Sequence, residues 1–526
     1  MINPIIVRHA RTQFRLERVG PIIALAAYLL LLVLAFFLTY MIGSSTGSSW
    51  QECLRTFWYE LLAIQIFMLV VVGSIAVAGS VVREKEQKRF DFQIVTGMSP
   101  WQIAEGETFG SSLFYYFLIL CTLPFMILCV LGGGIGWELF GYSYLILFTA
   151  AYFFHAWALL VSSMSRTYAG SIVLTLILIA LLSSAALLKH HSNGALRTFS
   201  VISPFYLPYS SFTGDSEPGQ VMFFNEYFPE LFAVAVVYVF LGLWALNGAV
   251  RKIRNSLSPY ISKLQAVFFT AVFLVTVAGL LVANNQVSQQ TWNTSFFENT
   301  IIYLTLTLLL MFVLAFVLTP SPEEYKLMVR RKNRGVWNAI FGERSLFLVN
   351  MLVLLGVSMA VYFGVFAQAV FARAPEKALH LTQVLSGKMP IMHVFSGFFF
   401  VLLAILFYSL LIQLCALLSK RAGREIAALI ILVLVLLPWL SEMWSGVAER
   451  GLVRVFNPVE VLVSILPAGT AGTGSNLSLA ALIFYPVFSI LLGALLYIRL
   501  KLLHARLAPN PPATQQAVSA APGTAS

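Results

Sequence analysis

Long uncharged apolar runs of about 20 residues alternate with short polar segments along most of the chain. Backbone N–H and C=O groups in hydrocarbon must be hydrogen-bonded within their own segment, so runs of this length predict membrane-spanning helices. The pattern predicts an all-α polytopic membrane protein with about twelve spans. The predicted spans are 20–42, 61–82, 109–131, 142–163, 170–188, 229–249, 265–283, 300–319, 346–368, 394–418, 425–441 and 479–500.

Composition and charge agree with this class. Hydrophobic residues make up 59% of the chain and charged residues 10%, whereas an ordinary soluble domain is about 25% charged. The net charge of +11 would suggest a nucleic-acid partner in a soluble protein. Here 25 of the 33 Lys and Arg residues fall at the termini and in alternate inter-span segments, so we expect no nucleic-acid partner. The positive-inside rule then predicts a multi-pass plasma (inner) membrane protein with both termini in the cytosol.

Two short features recur at a spacing of 254 residues. Ser165-Arg166 closes the fourth predicted span and Ser419-Lys420 closes the tenth. Within the two longest outer loops, Pro204 and Pro458 repeat the same offset. The regular offset favours an internal duplication, although dipeptide coincidences are the alternative in a long membrane protein.

The duplication predicts two six-span units, residues 1–255 and a diverged copy at 256–506. Six is an even number, so the two units would be parallel repeats about an axis along the membrane normal. A translocation path at their interface is the natural expectation. Residues 507–526 carry no charge and no apolar run, and they predict a disordered cytosolic tail.

Basic residues recur at helical spacing before the first span. Arg8, Arg11, Arg15 and Arg18 lie three or four positions apart, with apolar residues such as Ile5 on the other side. This pattern predicts an amphipathic elbow helix in the membrane interface, with its cations at anionic headgroups. A polybasic patch is the competing interpretation, and four charges support it weakly.

The segment 83–106, between the second and third predicted spans, contains charges of both signs around apolar residues. Phe90 and Ile94 lie four positions apart and predict a short helix. Gly97 would end that helix, and Ser99 before a proline is typical of the start of a second one. We therefore expect a helix, a sharp turn and a second helix on the cytosolic face.

This segment resembles the loop after the second span of ABC-2 type permeases, the membrane subunits of one class of ATP-binding cassette transporters. The family typically has a charged Arg-Glu-x-Glu start, a short apolar helix, a Thr-x-x-Ser-Pro-like turn and a helix with Ile and Gly. Residues 83–86, 96–100, Ile103 and Gly106 follow that order. Glu107 departs from it, because a Lys often follows the glycine in the family.

The resemblance implies a permease subunit of an ABC-type exporter that forms the translocation path. A separate ATP-binding subunit would dock on the loop and use the ATP, while this chain would bind no cofactor and would not be an enzyme itself. The chain has no Gly-x-x-x-x-Gly-Lys-Ser/Thr motif, which agrees with an ATPase elsewhere. Membrane lipids and a second permease chain are the other expected partners. The residues of the predicted ATPase-coupling loop are Arg83, Glu84, Glu86, Thr96, Gly97, Met98, Ser99, Pro100 and Trp101.

The corresponding loop of the second unit lacks the Arg-Glu-x-Glu start. It offers Trp337, Ile340 and Phe341 at helical spacing, next to six cations. These residues predict either a second coupling element or an anchor in the inner leaflet.

Ionisable and strongly polar residues are scarce inside the predicted spans. His155 and Gln413 are the deepest, and each either lines a path or hydrogen-bonds a neighbouring helix. Glu60 and Glu230 are predicted at span ends. This scarcity counts against an ion-coupled secondary transporter, the first alternative. An integral membrane enzyme, the second alternative, would need clustered acid/base or metal-ligating residues, and His190-His191 is only one adjacent pair.

Overall fold

The structure of the protein is a computed structural model. It describes residues 3–15, 19–164, 168–184, 200–212, 220–224, 226–255, 260–283, 292–319, 347–367, 390–418, 426–427, 429–431, 458–466 and 474–507.

Helices form nearly all of the described part of the first predicted unit. A short helix α1 (Pro4–Gln13) precedes α2 (Val19–Thr46), and the next helix is continuous from α3 (Trp50–Ile66) through a π-helical segment (Phe67–Val72) into α4 (Gly73–Glu86). The helices that follow are α5 (Arg89–Val95), α6 (Pro100–Gly110), α7 (Leu113–Gly133), α8 (Trp137–Met164), α9 (Tyr168–Ser184) and α10 (Tyr206–Phe212). After the strands β1 (Gln220–Phe223) and β2 (Glu226–Pro229), α11 (Glu230–Arg254) completes this part.

The described part of the second predicted unit is also helical. It contains α12 (Lys263–Ala283), α13 (Trp292–Leu318), α14 (Phe347–Val361) with a π-helical continuation (Tyr362–Ala367), α15 (Pro390–Leu418), α16 (Pro458–Ile465) and α17 (Gly474–Leu507).

Nine helices among the described residues are long and apolar enough to cross a membrane, and two shorter apolar helices cover Tyr168–Ala180 and Met351–Ala367. The prediction of an all-α polytopic membrane protein is therefore confirmed. The predicted span 425–441 lies largely outside the described residues, so the number twelve stays a prediction. The predicted disordered tail also lies outside them, except for Leu507.

The second span differs from its prediction. The helix begins at Trp50 instead of near residue 61 and runs for 37 residues to Glu86. Its early start is stabilised by a capping box, in which the Ser49 hydroxyl accepts from the backbone N–H of Glu52 and the Glu52 carboxylate accepts from that of Ser49. The polar residues Gln51, Glu52 and Arg55 interrupt the apolar pattern here, so apolar runs alone do not predict this part of the helix.

Glu60 consequently lies inside the helix and not at its end, which corrects the sequence-based expectation. It is about three turns from Trp50, and its carboxylate contacts the Thr39 hydroxyl of α2 at 2.5 Å. Glu230 does lie at a helix start, where α11 begins.

The buried apolar residues that the structure describes form three clusters: one within the predicted first unit, a larger one that extends across residue 255, and a small one between α15 and α17. The first cluster surrounds Trp58 and Leu61 of α3 and includes parts of α2, α7 and α8. The larger cluster extends from Ile5 of α1 to Tyr485 of α17. The predicted boundary near residue 255 falls between α11 and α12, and apolar packing continues across it.

A two-stranded hairpin lies in what the sequence indicates only as a long outer loop. β1 and β2 pair antiparallel with Phe223 opposite Glu226. The backbone N–H of Phe224 donates to the carbonyl of Gly279 in α12 at 3.1 Å. A Cβ on Gly279 would lie 2.5 Å from the ring of Phe223, so a glycine is required where this hairpin contacts α12.

Candidate coupling site

The predicted helix, turn and helix of segment 83–106 are present. α5 ends at Val95, and Gly97 adopts a φ of +85°, a conformation that favours glycine. The Ser99 hydroxyl accepts from the backbone N–H of Gln102 at 3.2 Å, and the Gln102 side chain accepts from that of Ser99 at 3.0 Å. With Pro100 as the first helical residue, this capping box fixes the direction of α6.

The tip of this helical hairpin exposes large apolar side chains. Phe92 is 69% exposed, Val95 85% and Trp101 42%. Phe90 and Ile94 turn towards the core and pack against it, as does Met98 at the turn. We call Phe92, Val95 and Trp101 the apolar tip. The predicted coupling loop includes Trp101 but misses Phe92 and Val95. The spacing of apolar residues within a seven-residue helix does not show which face is buried.

The charged start of the segment separates into exposed and buried residues. Arg83 and Glu86 are exposed, and the Arg83 Nε donates to the Gly79 carbonyl one turn earlier at 3.2 Å. Glu84 is only 5% exposed. Its carboxylate accepts from Arg89 at 3.1 Å and lies 3.2 Å from an Arg8 nitrogen, so it joins α4, α5 and α1.

A second carboxylate, Glu107 of α6, is completely buried. It accepts from Arg8 at 2.9 Å and from the Ser80 hydroxyl at 2.8 Å, and His9 Nε2 lies 3.3 Å away. The family-atypical glutamate therefore has its own counterion on α1. Because Arg8 contacts two carboxylates of the chain, its role differs from the headgroup binding that the helical pattern suggests.

Small residues allow α1 to lie directly on α6. A Cβ on Gly106 would lie 2.6 Å from the Ile5 Cβ, and one on Gly110 would lie 2.8 Å from the His9 ring. Hydrogen bonds fix both ends of this contact: Asn3 donates to the Gln102 carbonyl at 2.6 Å, and Gln13 donates to the carbonyls of Gly110 and Ser111 at 3.1 and 2.9 Å. The two glycines are four residues apart and so lie on the same face of α6, which is the sequence feature that indicates this contact.

α1, α4, α5 and α6 thus form one charged end of the helical bundle. The apolar tip is attached through α6 to α7 and through α4 to the long helix from Trp50. Motion of the tip would therefore be passed directly to two candidate spans.

His155 lies far from this hairpin tip, inside the bundle. It is 0% exposed, and its Nε2 lies 2.9 Å from the carbonyl of Leu69 in the π-helical segment. Since a carbonyl only accepts, Nε2 carries the hydrogen, and Nδ1 faces the hydroxyls of Ser112 and Tyr116 at 3.4 and 3.5 Å. Gly73 makes room for the His155 ring, because a Cβ at position 73 would lie 2.7 Å from Nε2.

Of the other predicted positions, the structure describes only Gln413. Gln413 is a buried residue of α15, 7% exposed. Trp337, Ile340 and Phe341 lie outside the described residues, so the second coupling element stays a prediction. In the described part of the chain, no group of three or more His, Cys, Asp or Glu residues could hold a metal ion.

The family model described as ABC-2 type transporter matches residues 5–214. No curated protein and no solved structure matches the chain. The matched range contains α1, the α5–α6 hairpin, the apolar tip and both buried carboxylates. The resemblance of the hairpin segment to ABC-2 permeases is thereby confirmed, and residues 5–214 of this multi-pass membrane protein are similar to the membrane domain of ABC-2 type transporters.

Proposed function

We propose that the chain is the permease subunit of an ABC-type exporter and that a separate ATP-binding subunit docks on the apolar tip. The main observation in support of this proposal is that Phe92, Val95 and Trp101 are exposed at the charged end of the bundle. Large apolar side chains grouped on a polar surface are typical of protein interaction sites. The family match makes an ATP-binding subunit the expected partner.

The attachment of the tip supports a coupling role. Met98 and Ile94 pack against the core behind the tip, while Glu84 and Glu107 join the hairpin to α1 through Arg8. An ATPase that moved the tip would thus displace α1 and α6 together, and would tilt the helices that continue from them. ATP would be bound and hydrolysed by the partner.

Co-purification tests the docking surface. The tagged chain is co-expressed with the ATP-binding subunits of the same genome, and bound ATPase is quantified. We expect the double variant Phe92→Ser/Val95→Ser to lose most of the ATPase. Leu264→Ser is the matched control, because Leu264 is 80% exposed at the start of α12 and lies outside the hairpin. Normal ATPase binding by the double variant, or no ATPase bound to the wild type, would overturn the proposal.

Coupling and direction require a transport assay. Trp101→Ser leaves the packed Met98 in place, so we expect reduced stimulation of ATP hydrolysis in a folded complex. Export predicts ATP-dependent accumulation of cargo in inverted vesicles. An ion gradient that drives uptake without ATP would instead support a secondary transporter.

The proposed topology places α1 as an elbow at the cytosolic membrane surface, with both termini in the cytosol. Its support is the placement of the basic segments and the amphipathic α1, whose Ile5 is buried while Arg11 is exposed. Single cysteines at Arg11 and Gly136 should react from opposite sides of the membrane, because α7 separates the turn at Gly136 from the charged end.

A further inference from the structure

Four polar side chains from four different helices meet inside the apolar core of the first unit. They are Tyr28 of α2, Gln65 of α3, Thr122 of α7 and Tyr144 of α8, and none is more than 9% exposed. Thr122 lies near the middle of α7, which spans Leu113–Gly133. We call these four residues the polar site; they lie well inside the bundle and away from the charged end.

The hydrogen bonds within the polar site leave some polar atoms unpaired. Gln65 Nε2 donates to the Thr122 hydroxyl at 2.6 Å and to the Tyr144 hydroxyl at 3.1 Å. Thr122 in turn donates to the Ile119 carbonyl at 2.7 Å. Gln65 Oε1 has no hydrogen-bond partner, and the Tyr28 hydroxyl, which lies beside Thr122 and Tyr144, makes no more than a weak hydrogen bond, to Thr122.

In the reversed orientation of the Gln65 amide, its oxygen would accept from the Thr122 and Tyr144 hydroxyls. In the orientation that the structure shows, Gln65 Oε1 is a completely buried acceptor that no described group of the chain satisfies. Buried polar groups usually have hydrogen-bond partners, and here the amide with the unpaired oxygen also contacts the Thr122 and Tyr144 hydroxyls, so the polar site can hold the polar group of a bound molecule.

The chemistry of the polar site defines the group that it could bind. All four side chains are uncharged, and the Tyr28 hydroxyl can both donate and accept. A group with a donor and an acceptor, such as a hydroxyl or a neutral amide, would satisfy both Tyr28 and Gln65. A carboxylate or ammonium group would lose its hydration without a counterion among these residues.

The position of α2 indicates where such a molecule would come from. α2 buries only Tyr28, Leu32 and Thr39, and most of its other large apolar side chains are exposed, as expected for a lipid-facing helix. Helix α2, which carries Tyr28, therefore separates the polar site from the bilayer. A small displacement of α2 would open the site to molecules dissolved in the membrane.

We propose that the polar site binds the hydroxyl or amide head of an uncharged amphiphile that enters from the bilayer past α2. Only the further statement that this amphiphile is the exported cargo rests on the proposed permease function. The apolar tail would lie along α2 and α3, while Gln65 and Tyr28 would hold the head.

Photolabelling tests binding without an ATPase. The purified full chain in lipid nanodiscs is exposed to a long-chain alcohol that carries a diazirine next to its hydroxyl group, and the labelled peptides are identified by mass spectrometry. We expect labelling of the peptides that contain Tyr28 and Thr122. Tyr28→Phe and Gln65→Leu should each reduce it about fivefold, the effect of losing roughly one neutral hydrogen bond.

Controls separate the head group from general lipid contact. Thr149→Val is matched to Thr122→Val, because the Thr149 hydroxyl bonds to the Leu145 and Ile146 carbonyls of its own helix; it should leave labelling unchanged, whereas Thr122→Val should reduce it. Probes of the same length with a carboxylate or trimethylammonium head should not label the site. Labelling is compared at equal amounts of monodisperse protein, so that a misfolded variant is not scored as non-binding.

Equal labelling of wild type and all three site variants would overturn the proposal, as would labelling confined to lipid-facing helix surfaces or equal labelling by the charged probes. These outcomes are distinct from a failure of the proposed function. If the chain is labelled as expected but binds no ATPase, the polar site is supported and the exporter assignment is not. If the chain binds an ATPase but is not labelled at the polar site, the exporter assignment is supported and the polar site is not.

Discussion

Glu107 on α6 and Arg8 on α1 form an ion pair at 2.9 Å, in which the carboxylate is completely buried and the guanidinium is 34% exposed. The two residues are 99 positions apart in the chain. A buried carboxylate without a counterion is strongly unfavourable, so this pair fixes α1 on the α5–α6 hairpin.

Removing the counterion should therefore destabilise the protein. We expect Arg8→Ala to lower the free energy of unfolding by about 2 to 3 kcal/mol, below the range for a fully buried pair because Arg8 is partly exposed. Arg11→Ala, at an exposed position of the same helix, is the control and should have little effect. Unfolding in mixed detergent and denaturant measures the difference. The double variant Arg8→Ala/Glu107→Gln should recover part of the loss, and strict additivity would argue against direct pairing.

Close packing of α1 on α6 leads to a second prediction. Gly106→Ala places a methyl group 2.6 Å from the Ile5 Cβ, so we expect a lower melting temperature and faster proteolysis of the N-terminal segment. Gly141→Ala is the matched control, since a Cβ there meets nothing within 4 Å. Ile5→Gly removes the Cβ that the new methyl group meets, so it should lower the melting temperature less in the Gly106→Ala background than in the wild type. An unchanged melting temperature for Gly106→Ala would contradict the contact.

Stability and transport together distinguish the two interpretations of His155. If its main role is the hydrogen bond to the Leu69 carbonyl, His155→Leu should cost about 1 to 2 kcal/mol, as for other hydrogen bonds between membrane helices. Transport per folded molecule would then change little. A variant of normal stability with lost transport would instead identify His155 as a residue of the path.

The strand hairpin yields a prediction about its contact with α12. Gly279→Val would force the rings of Phe223 and Phe224 away from α12, and we expect a protease site introduced between β1 and β2 to be cut faster. Gly356→Val is a suitable control, because a Cβ there also meets nothing within 4 Å. Equal cleavage rates in both variants would show that the hairpin is not held by this contact.

Some features of the site follow from short stretches of sequence. Apolar runs predict most of the observed spans because the transfer of about 20 consecutive residues into hydrocarbon depends on those residues alone. The turn at Gly97 and the cap at Ser99 are likewise local, since their hydrogen bonds join residues three apart. The family-like order of segment 83–106 is read from the same stretch.

Only the tertiary structure decided which of these residues are buried, exposed or paired. Arg8 meets Glu107, and Gln65 meets Thr122 and Tyr144, through helices that are distant in sequence. Phe92 is exposed and Phe90 packs inward because the position of the core, and not the spacing of apolar residues, sets the buried face of α5. The sequence by itself determined a multi-pass helical protein with a capped helical hairpin, since those depend on local hydrogen bonds and hydrophobicity. The buried charges, the apolar tip and the polar site depend on how the helices pack, which no local pattern contains.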